Sequence, residues 1–282
     1  IREKSIREQL CGNVFDLCSI INGKSGACSE NCKYCAQSAH YSTRVETYPL
    51  LDAEVFIKDA KEHKAEGVLR YSIVTSGKRL SKKEVEDVAK IYKRMREECE
   101  IKLCASHGLL DEEDFTKLKE AGIVRYHNNL ETSRNYFASI CTTHTYEDKI
   151  KTIKAAQRVG LEVCSGGLFG IGETMEDRID MAFELREMGV TSIPINVLVP
   201  IPGTPMEKML PITEEEVLKS IAIYRFIHPT AFIRLAGGRM YLTDNGRLAF
   251  EGGANATITG NLLTTCGTVS YTHLTLPTNS LV

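Results

Sequence analysis

The stretch VLRYSIVTSGKRLSKKEVEDVAKIYKRMREECEIKLCAS (residues 68–106) carries one complete structural period of this chain. A β-rich run, VLRYSIVTS, leads through Gly77 to the capping box SKKE at 81–84. Behind the box, Val85, Val88, Ala89, Tyr92 and Met95 recur at helical spacing on one face, and EIKLCAS opens a second β-rich run. Strand, amphipathic helix, strand is the unit of a parallel sheet with right-handed crossovers.

The same grammar extends in both directions. TYED at 145–148, TMED at 174–177 and TEEE at 213–216 are further capping signals. Gly67, Gly122, Gly160 and Gly189 stand where helix-ending glycines belong. With FDLCSIING, IVRYHNNL, LEVCSGGLFG, VTSIPINVLVP, AFIRLAGG and ATITGN, the chain offers eight strands, most separated by one helix, and no Pro- or Ser-rich linker divides them. Eight such units in about 250 residues predict a single-domain α/β protein, a (β/α)8 TIM barrel. A doubly wound open sheet is the alternative, because periodicity does not distinguish closure.

Polar residues interrupt the strands: Ser72, Cys104, Asn129, Cys164, Asn196 and Arg234. Burying them unpaired would cost several kcal/mol, about 2–7 for each neutral group. They therefore predict a lined cavity rather than a solid apolar barrel.

The bulk numbers narrow the class. The chain has 282 residues, is 43% hydrophobic and carries a formal charge of −2, which favours neither nucleic acid nor an anionic membrane as partner. No apolar run approaches membrane-spanning length, and IREKSIREQL resembles neither a signal peptide nor an anchor, so a cytoplasmic protein is expected. Ten cysteines in a reducing compartment point to metal or redox chemistry rather than disulfides. The domain is expected to span 1–269 with a short N-terminal extension. Residues 270–282 form an atypical tail, foreign or disordered in character, and from Gly252 onward there is no Asp, Glu, Lys or Arg.

Cys28, Cys32 and Cys35 form a C-x3-C-x2-C motif in the loop after the first strand. Structural zinc takes four ligands, usually in two separated pairs. Three thiolates in one tight loop instead suit a cubane [4Fe–4S] cluster with one iron left open. A zinc knuckle borrowing a distant ligand is the competing reading.

CSENCKYCAQSAHY (28–41), RYHNNLETS (125–133), CTTHTYEDK (141–149), VCSGGLFGIGET (163–174), PINVLVPIPGTP (194–205) and IRLAGGR (233–239) together resemble the biotin synthases of the radical S-adenosylmethionine (SAM) superfamily. The resemblance runs in order from about residue 11 to 268. It implies a homodimer of (β/α)8 barrels that converts dethiobiotin to biotin, fed by an electron donor such as flavodoxin or ferredoxin. It places Cys28, Cys32 and Cys35 on the [4Fe–4S] cluster that binds SAM, and Tyr34, Asn129, Glu131 and Lys149 around SAM. Asn129 and Asn196 would meet dethiobiotin, although both could instead simply cap strand ends.

The family's sulfur source is an auxiliary cluster. Cys104, Cys164 and Arg234 match three of its ligands, while the fourth position is Ser72, a harder ligand than thiolate. Either Ser72 serves a [2Fe–2S] cluster, or a rebuilt, four-iron cluster uses Cys18 or Cys11, as in variants resembling those of anaerobes. Cys99 reads as a bystander, Cys141 as a small buried thiol that could approach the site, and Cys266 lies close to the tail. His107 and His127 flank strand ends and read as satisfied structural histidines. The rival functions are a related radical SAM barrel, such as a hydrogenase-maturation protein, and a non-catalytic iron–sulfur or zinc-binding protein.

Overall fold

The computed structural model describes residues 2–259. Cys266 and the 270–282 tail lie outside the described residues. The strands are β1 (Asp16–Lys24), β2 (Arg70–Thr75), β3 (Lys102–Ser106), β4 (Ile123–His127), β5 (Glu162–Cys164), β6 (Gly167–Phe169), β7 (Ser192–Val197), β8 (Phe232–Leu235) and β9 (Ala256–Thr259). All pair in parallel, in the order β5-β4-β3-β2-β1-β9-β8-β7-β6, and β5 also pairs with β7. That last pairing, Cys164 with Ser192, closes the cylinder and excludes the open sheet.

The nine segments make eight staves, because β5 and β6 are two pieces of the stretch LEVCSGGLFG. The break falls at Ser165 and Gly166. A Cβ on Gly166 would lie 1.9 Å from the Pro194 carbonyl oxygen, so only glycine admits this approach of the two staves.

The helices are α1 (Arg2–Cys11), α2 (Ala53–Ala65), α3 (Lys82–Glu98), α4 (Glu112–Glu120), α5 (Phe137–Ile140), α6 (Tyr146–Arg158), α7 (Met175–Glu187), α8 (Glu214–Ile227) and α9 (Arg247–Glu251). Reciprocal capping boxes open α3, α6 and α7 at Ser81, Thr145 and Thr174. Thr213 caps α8 by accepting from the Glu216 N–H, without the return bond. A further box, Asp111 with Asp114, opens α4. The face of α3 predicted from spacing, Val85 to Met95, is buried against the barrel. Gly67, Gly122, Gly160 and Gly189 all take positive φ after helix ends. No helix among the described residues is long and apolar enough to cross a membrane.

Candidate functional site

The barrel interior is polar in three tiers, and residues two apart along each strand rise from one tier to the next. The floor is ionic. The Asp16 carboxylate accepts from Arg70 Nε at 3.0 Å and from Arg125 Nη1 at 3.4 Å, and Arg234 Nη2 stands 3.2 Å away. Glu162 pairs with Arg125 Nη2 at 2.8 Å and with Arg70 Nη1 at 3.6 Å. Burial works to raise the Asp16 pKa, but the charges of Arg234, Arg125 and Arg70 overcome it and hold it at about 2. Three guanidiniums against two carboxylates leave this floor with surplus positive charge.

The middle tier carries sulfur. Cys18, Cys104 and Cys164 are fully buried, as are Ser72 and Arg234. Ser72 is in register with Cys104, and Ile20 with Ser72. Cys18 and Cys104 are close enough in this buried tier to drive each other's titrations apart, Cys18 downward and Cys104 upward. Ser192 Oγ donates to Cys164 Sγ at 3.2 Å. Ser72 Oγ, His127 Nε2 and Arg234 Nε are buried with no hydrogen-bond partner among the described residues. Soft thiols, unpartnered inward donors and a cationic floor are the donor set an anionic iron–sulfur cluster requires.

The structure does not bring Cys11 to this tier. Its sulfur lies 3.4 Å from the Pro229 carbonyl and 3.3 Å from Arg225 Nη1, beyond the end of α8. The two histidines separate. His107 is satisfied by Thr75 Oγ1 at 3.0 Å and the Tyr92 hydroxyl at 2.9 Å, and burial lowers its pKa to about 3, so it stays neutral. His127 belongs to the sulfur tier with one ring nitrogen unmatched, which departs from the satisfied reading of it.

The mouth lies at the carboxyl ends of the strands, where barrel active sites form. The cysteine loop leaves β1 and folds back on itself: Cys28 N–H donates to the Gln37 carbonyl at 2.9 Å, Ala39 N–H to the Cys28 carbonyl at 2.8 Å, and Cys35 N–H to the Cys32 carbonyl at 3.0 Å. All three thiols are free and partly exposed. Burial pushes the Cys35 thiol up to about 11. The closed loop with three unpaired thiols fits a cubane that keeps one iron free of protein.

Tyr34, Cys35, Asn129, Glu131 and Asn196 line one cavity of about 250 Å³, walled by Ile20, Leu168, Val197 and Ile258. Asn129 sits just beyond β4 rather than at its centre, and its Oδ1 accepts from Gly166 N–H at 3.3 Å. Asn196 Nδ2 donates to the Gly167 carbonyl at 3.1 Å, and its Oδ1 accepts from Gly237 N–H at 2.9 Å. Both amides thus cap strand ends and face the cavity, and each keeps hydrogen-bonding capacity to spare.

Glu131 holds φ +73, unusual for a residue with a side chain. Its N–H donates to the Gly166 carbonyl at 3.0 Å and its carbonyl accepts from Leu168 N–H at 2.8 Å, which pins it across the stave break. Burial raises its pKa, against the charge of Lys149 and hydrogen bonds with Tyr34 and Asn129. Lys149, on α6, is largely buried and makes no hydrogen bond or ion pair among the described residues, so its charge is available to an anionic ligand.

Sequence reasoning missed the ionic floor, although Asp16, Arg70, Arg125 and Glu162 each precede an interior residue by two positions and share its face. It also missed His144. Cys141 Sγ and a ring nitrogen of His144 lie within 4.8 Å of Cys32 Sγ, and His144 Nδ1 meets Glu30 Oε2 at 2.6 Å. Cys99 is buried beside the Ile57 carbonyl, away from all three tiers.

Residues 24–185 match the Radical SAM superfamily, and residues 194–272 match the Biotin and Thiamin Synthesis associated domain. Among curated proteins the chain is similar to biotin synthase of Alkaliphilus metalliredigens, 59% identical over 93% of this chain and 83% of that one. It is 58% identical to biotin synthase of Clostridium botulinum strain Langeland, over 93% and 82% of the two chains. Among solved structures, methylornithine synthase superposes with a TM-score of 0.79 at 21% identity, covering 91% of this chain and 75% of that one. The FeFe-hydrogenase maturase HydG of Carboxydothermus hydrogenoformans gives 0.78 at 18%, covering 92% and 62%. At such identities these structures speak for the fold alone. Identity near 59% across nearly the whole chain does more: this chain belongs to the biotin synthase family of radical SAM enzymes.

Proposed function

We propose that the chain inserts sulfur into dethiobiotin to form biotin, using the mouth for radical generation and the sulfur tier as donor. The observation that carries this reading is the shared cavity, in which Cys35 and Tyr34 of the cysteine loop face Asn129, Glu131 and Asn196. When bound to a [4Fe–4S] cluster on Cys28, Cys32 and Cys35, SAM supplies hydrogen abstraction from unactivated carbon, which no side chain performs.

The chain's own residues do the rest. Lys149 offers its ammonium to the SAM carboxylate, as a point charge rather than a bidentate fork. Tyr34 and Glu131 hold each other beside the place of the adenosyl group. The spare donor and acceptor on Asn129 and Asn196 match a neutral ureido ring. Ile20, Leu168, Val197 and Ile258 exclude water and competing hydrogen sources from the reacting carbon.

The auxiliary cluster belongs on Cys104, Cys164 and Arg234, with Cys18 as its further ligand in place of Ser72. The burial of Cys18 in the same tier as Cys104, with Cys11 out beside Pro229, supports this choice over Cys11. A flavodoxin or ferredoxin as donor, a homodimer and a cytoplasmic setting complete the proposal. Nine free cysteines among the described residues suit a reducing compartment.

An anaerobic single turnover with reconstituted protein, SAM, reductant and dethiobiotin, read by mass spectrometry, tests the whole. Biotin with deoxyadenosine and methionine is expected. Deoxyadenosine without biotin would overturn the substrate, and absence of both would overturn the radical chemistry.

A further inference from the structure

Two clips hold the cysteine loop against the segment that follows α5, and one cysteine of each strand of chain stands between them. On one side, Lys33 N–H donates to the Ile140 carbonyl at 2.9 Å. On the other, Asn31 Oδ1 accepts from Thr142 N–H at 2.9 Å, and Asn31 N–H donates to Thr143 Oγ1 at 3.1 Å. Cys32 lies between Asn31 and Lys33, and Cys141 between Ile140 and Thr142, so the clips set these two residues against each other. Their sulfurs are within 4.8 Å, although more than a hundred residues of chain separate them.

A disulfide forms without backbone movement only where two cysteine backbones already lie side by side. The hydrogen bonds flanking this pair supply that condition. A change of one χ1 rotamer carries a cysteine sulfur by about 3 Å, enough to close the remaining gap to a bond of about 2 Å. The two thiols differ in access. Cys32 is partly exposed, whereas Cys141 is only 3% exposed. A small disulfide arriving from solvent therefore meets Cys32 first.

The geometry points to a redox-modification site: Cys32 and Cys141 join in an intramolecular disulfide when the cluster-free chain meets a low-molecular-weight disulfide such as glutathione disulfide. Cys32 sulfur attacks one glutathione sulfur, the S–S bond of the oxidant breaks, and the departing glutathione takes up the Cys32 proton. Cys141 sulfur then attacks Cys32 sulfur and displaces the second glutathione, which takes up the Cys141 proton. Two protein thiols are oxidised to one disulfide, and one glutathione disulfide is reduced to two glutathiones. In a reducing compartment such a bond is transient. Because Cys32 also belongs to the C-x3-C-x2-C motif, the linked chain lacks one of the three thiols for the cubane until it is reduced. Only this exclusion rests on the cluster assignment above.

The test equilibrates the reduced, cluster-free full chain anaerobically at rising ratios of glutathione disulfide to glutathione. Remaining thiols are blocked with N-ethylmaleimide, and the peptides are mapped by mass spectrometry. A linked pair of peptides carrying Cys32 and Cys141 is expected, and dithiothreitol should abolish it. C141S should stop with glutathione held on Cys32, C32S should leave Cys141 a free thiol, and C99S, away from the pair, should keep the link. Far-UV melts of the reduced variants separate lost linkage from lost folding, and the map of the parent chain decides without them. Cys32 linked to Cys28 or Cys35 in the parent, or glutathione held on Cys32 with Cys141 free, would overturn the pairing. Reconstituted without added thiol, the linked chain should take up less iron and sulfide than the reduced chain. Equal uptake would overturn the exclusion while leaving the disulfide standing.

Discussion

Arg234 grips Asp16 twice: its Nη1 donates to the Asp16 backbone carbonyl at 3.0 Å, and its Nη2 stands 3.2 Å from the Asp16 carboxylate. The contact joins β8 to β1 across the barrel floor, and the same carboxylate also serves Arg70 and Arg125. Asp16→Asn would leave Arg70 and Arg125 with Glu162 alone and Arg234 with only backbone carbonyls. We expect a loss of about 3–5 kcal/mol, the usual effect of breaking a buried pair from one side. The pH dependence has a definite sign. The Asp16 pKa is lowered from 3.8 to about 2 on folding, so its stabilisation is fully present above about pH 4 and is lost as pH falls toward 2. That component is worth about 2 kcal/mol. Urea midpoints from pH 7 to 2 should show it in the parent chain and not in Asp16→Asn.

The sulfur tier yields a comparison of three variants. Cys18 is buried in the same tier as Cys104, Ser72 faces the same interior, and Cys11 lies beyond α8. Cys18→Ala should therefore lower auxiliary iron and sulfide per chain, while Ser72→Ala and Cys11→Ala leave both unchanged. Iron and sulfide assays with Mössbauer spectra check this. Loss in Ser72→Ala with Cys18→Ala intact would restore the serine-ligated cluster.

Gly237 has no side chain because Asn196 needs the room. A Cβ there would lie 3.2 Å from Asn196 Oδ1, the atom that accepts the Gly237 N–H. Gly237→Ala should push the amide aside by a few tenths of an ångström. The KM for dethiobiotin should rise about tenfold, equivalent to about 1.4 kcal/mol, with SAM affinity unchanged. A fall in SAM affinity of the same size would show that Asn196 faces the other ligand.

How far the sequence announced all this depends on the range of the interaction. Ser81 and Glu84 are three residues apart, so their box and the buried face behind it were legible from local spacing. The resemblance brought Tyr34, Asn129, Glu131 and Asn196 forward, and they share a cavity. The positive φ of Glu131 was not legible, because it follows from a stave break that depends on Gly166 meeting Pro194 across the barrel. The ionic floor escaped for a related reason. Asp16, Arg70 and Arg125 look like ordinary surface charges until closure brings three strands to one point. Cys141 was noticed and His144 was not, since nothing near either residue in the chain indicates Cys32.

Lys149 separates a binding residue from a structural one most directly. It lies on the buried face of α6, and its charge acts on both Cys32 and Glu131. Among the described residues it has no hydrogen-bond or ion-pair partner, so removing its charge breaks no salt bridge. Lys149→Met keeps the apolar stem that packs in the core. The thermal midpoint should hold or rise, while SAM affinity falls by about one to two orders of magnitude, as expected when a charged hydrogen bond worth about 1.5–3 kcal/mol is lost. Lys149→Arg should recover most of the binding. Equilibrium dialysis with SAM, beside thermal melts of the same samples, reads both quantities. A lowered midpoint with unchanged SAM affinity would make Lys149 a packing residue, and the carboxylate of SAM would then need another cation at the mouth.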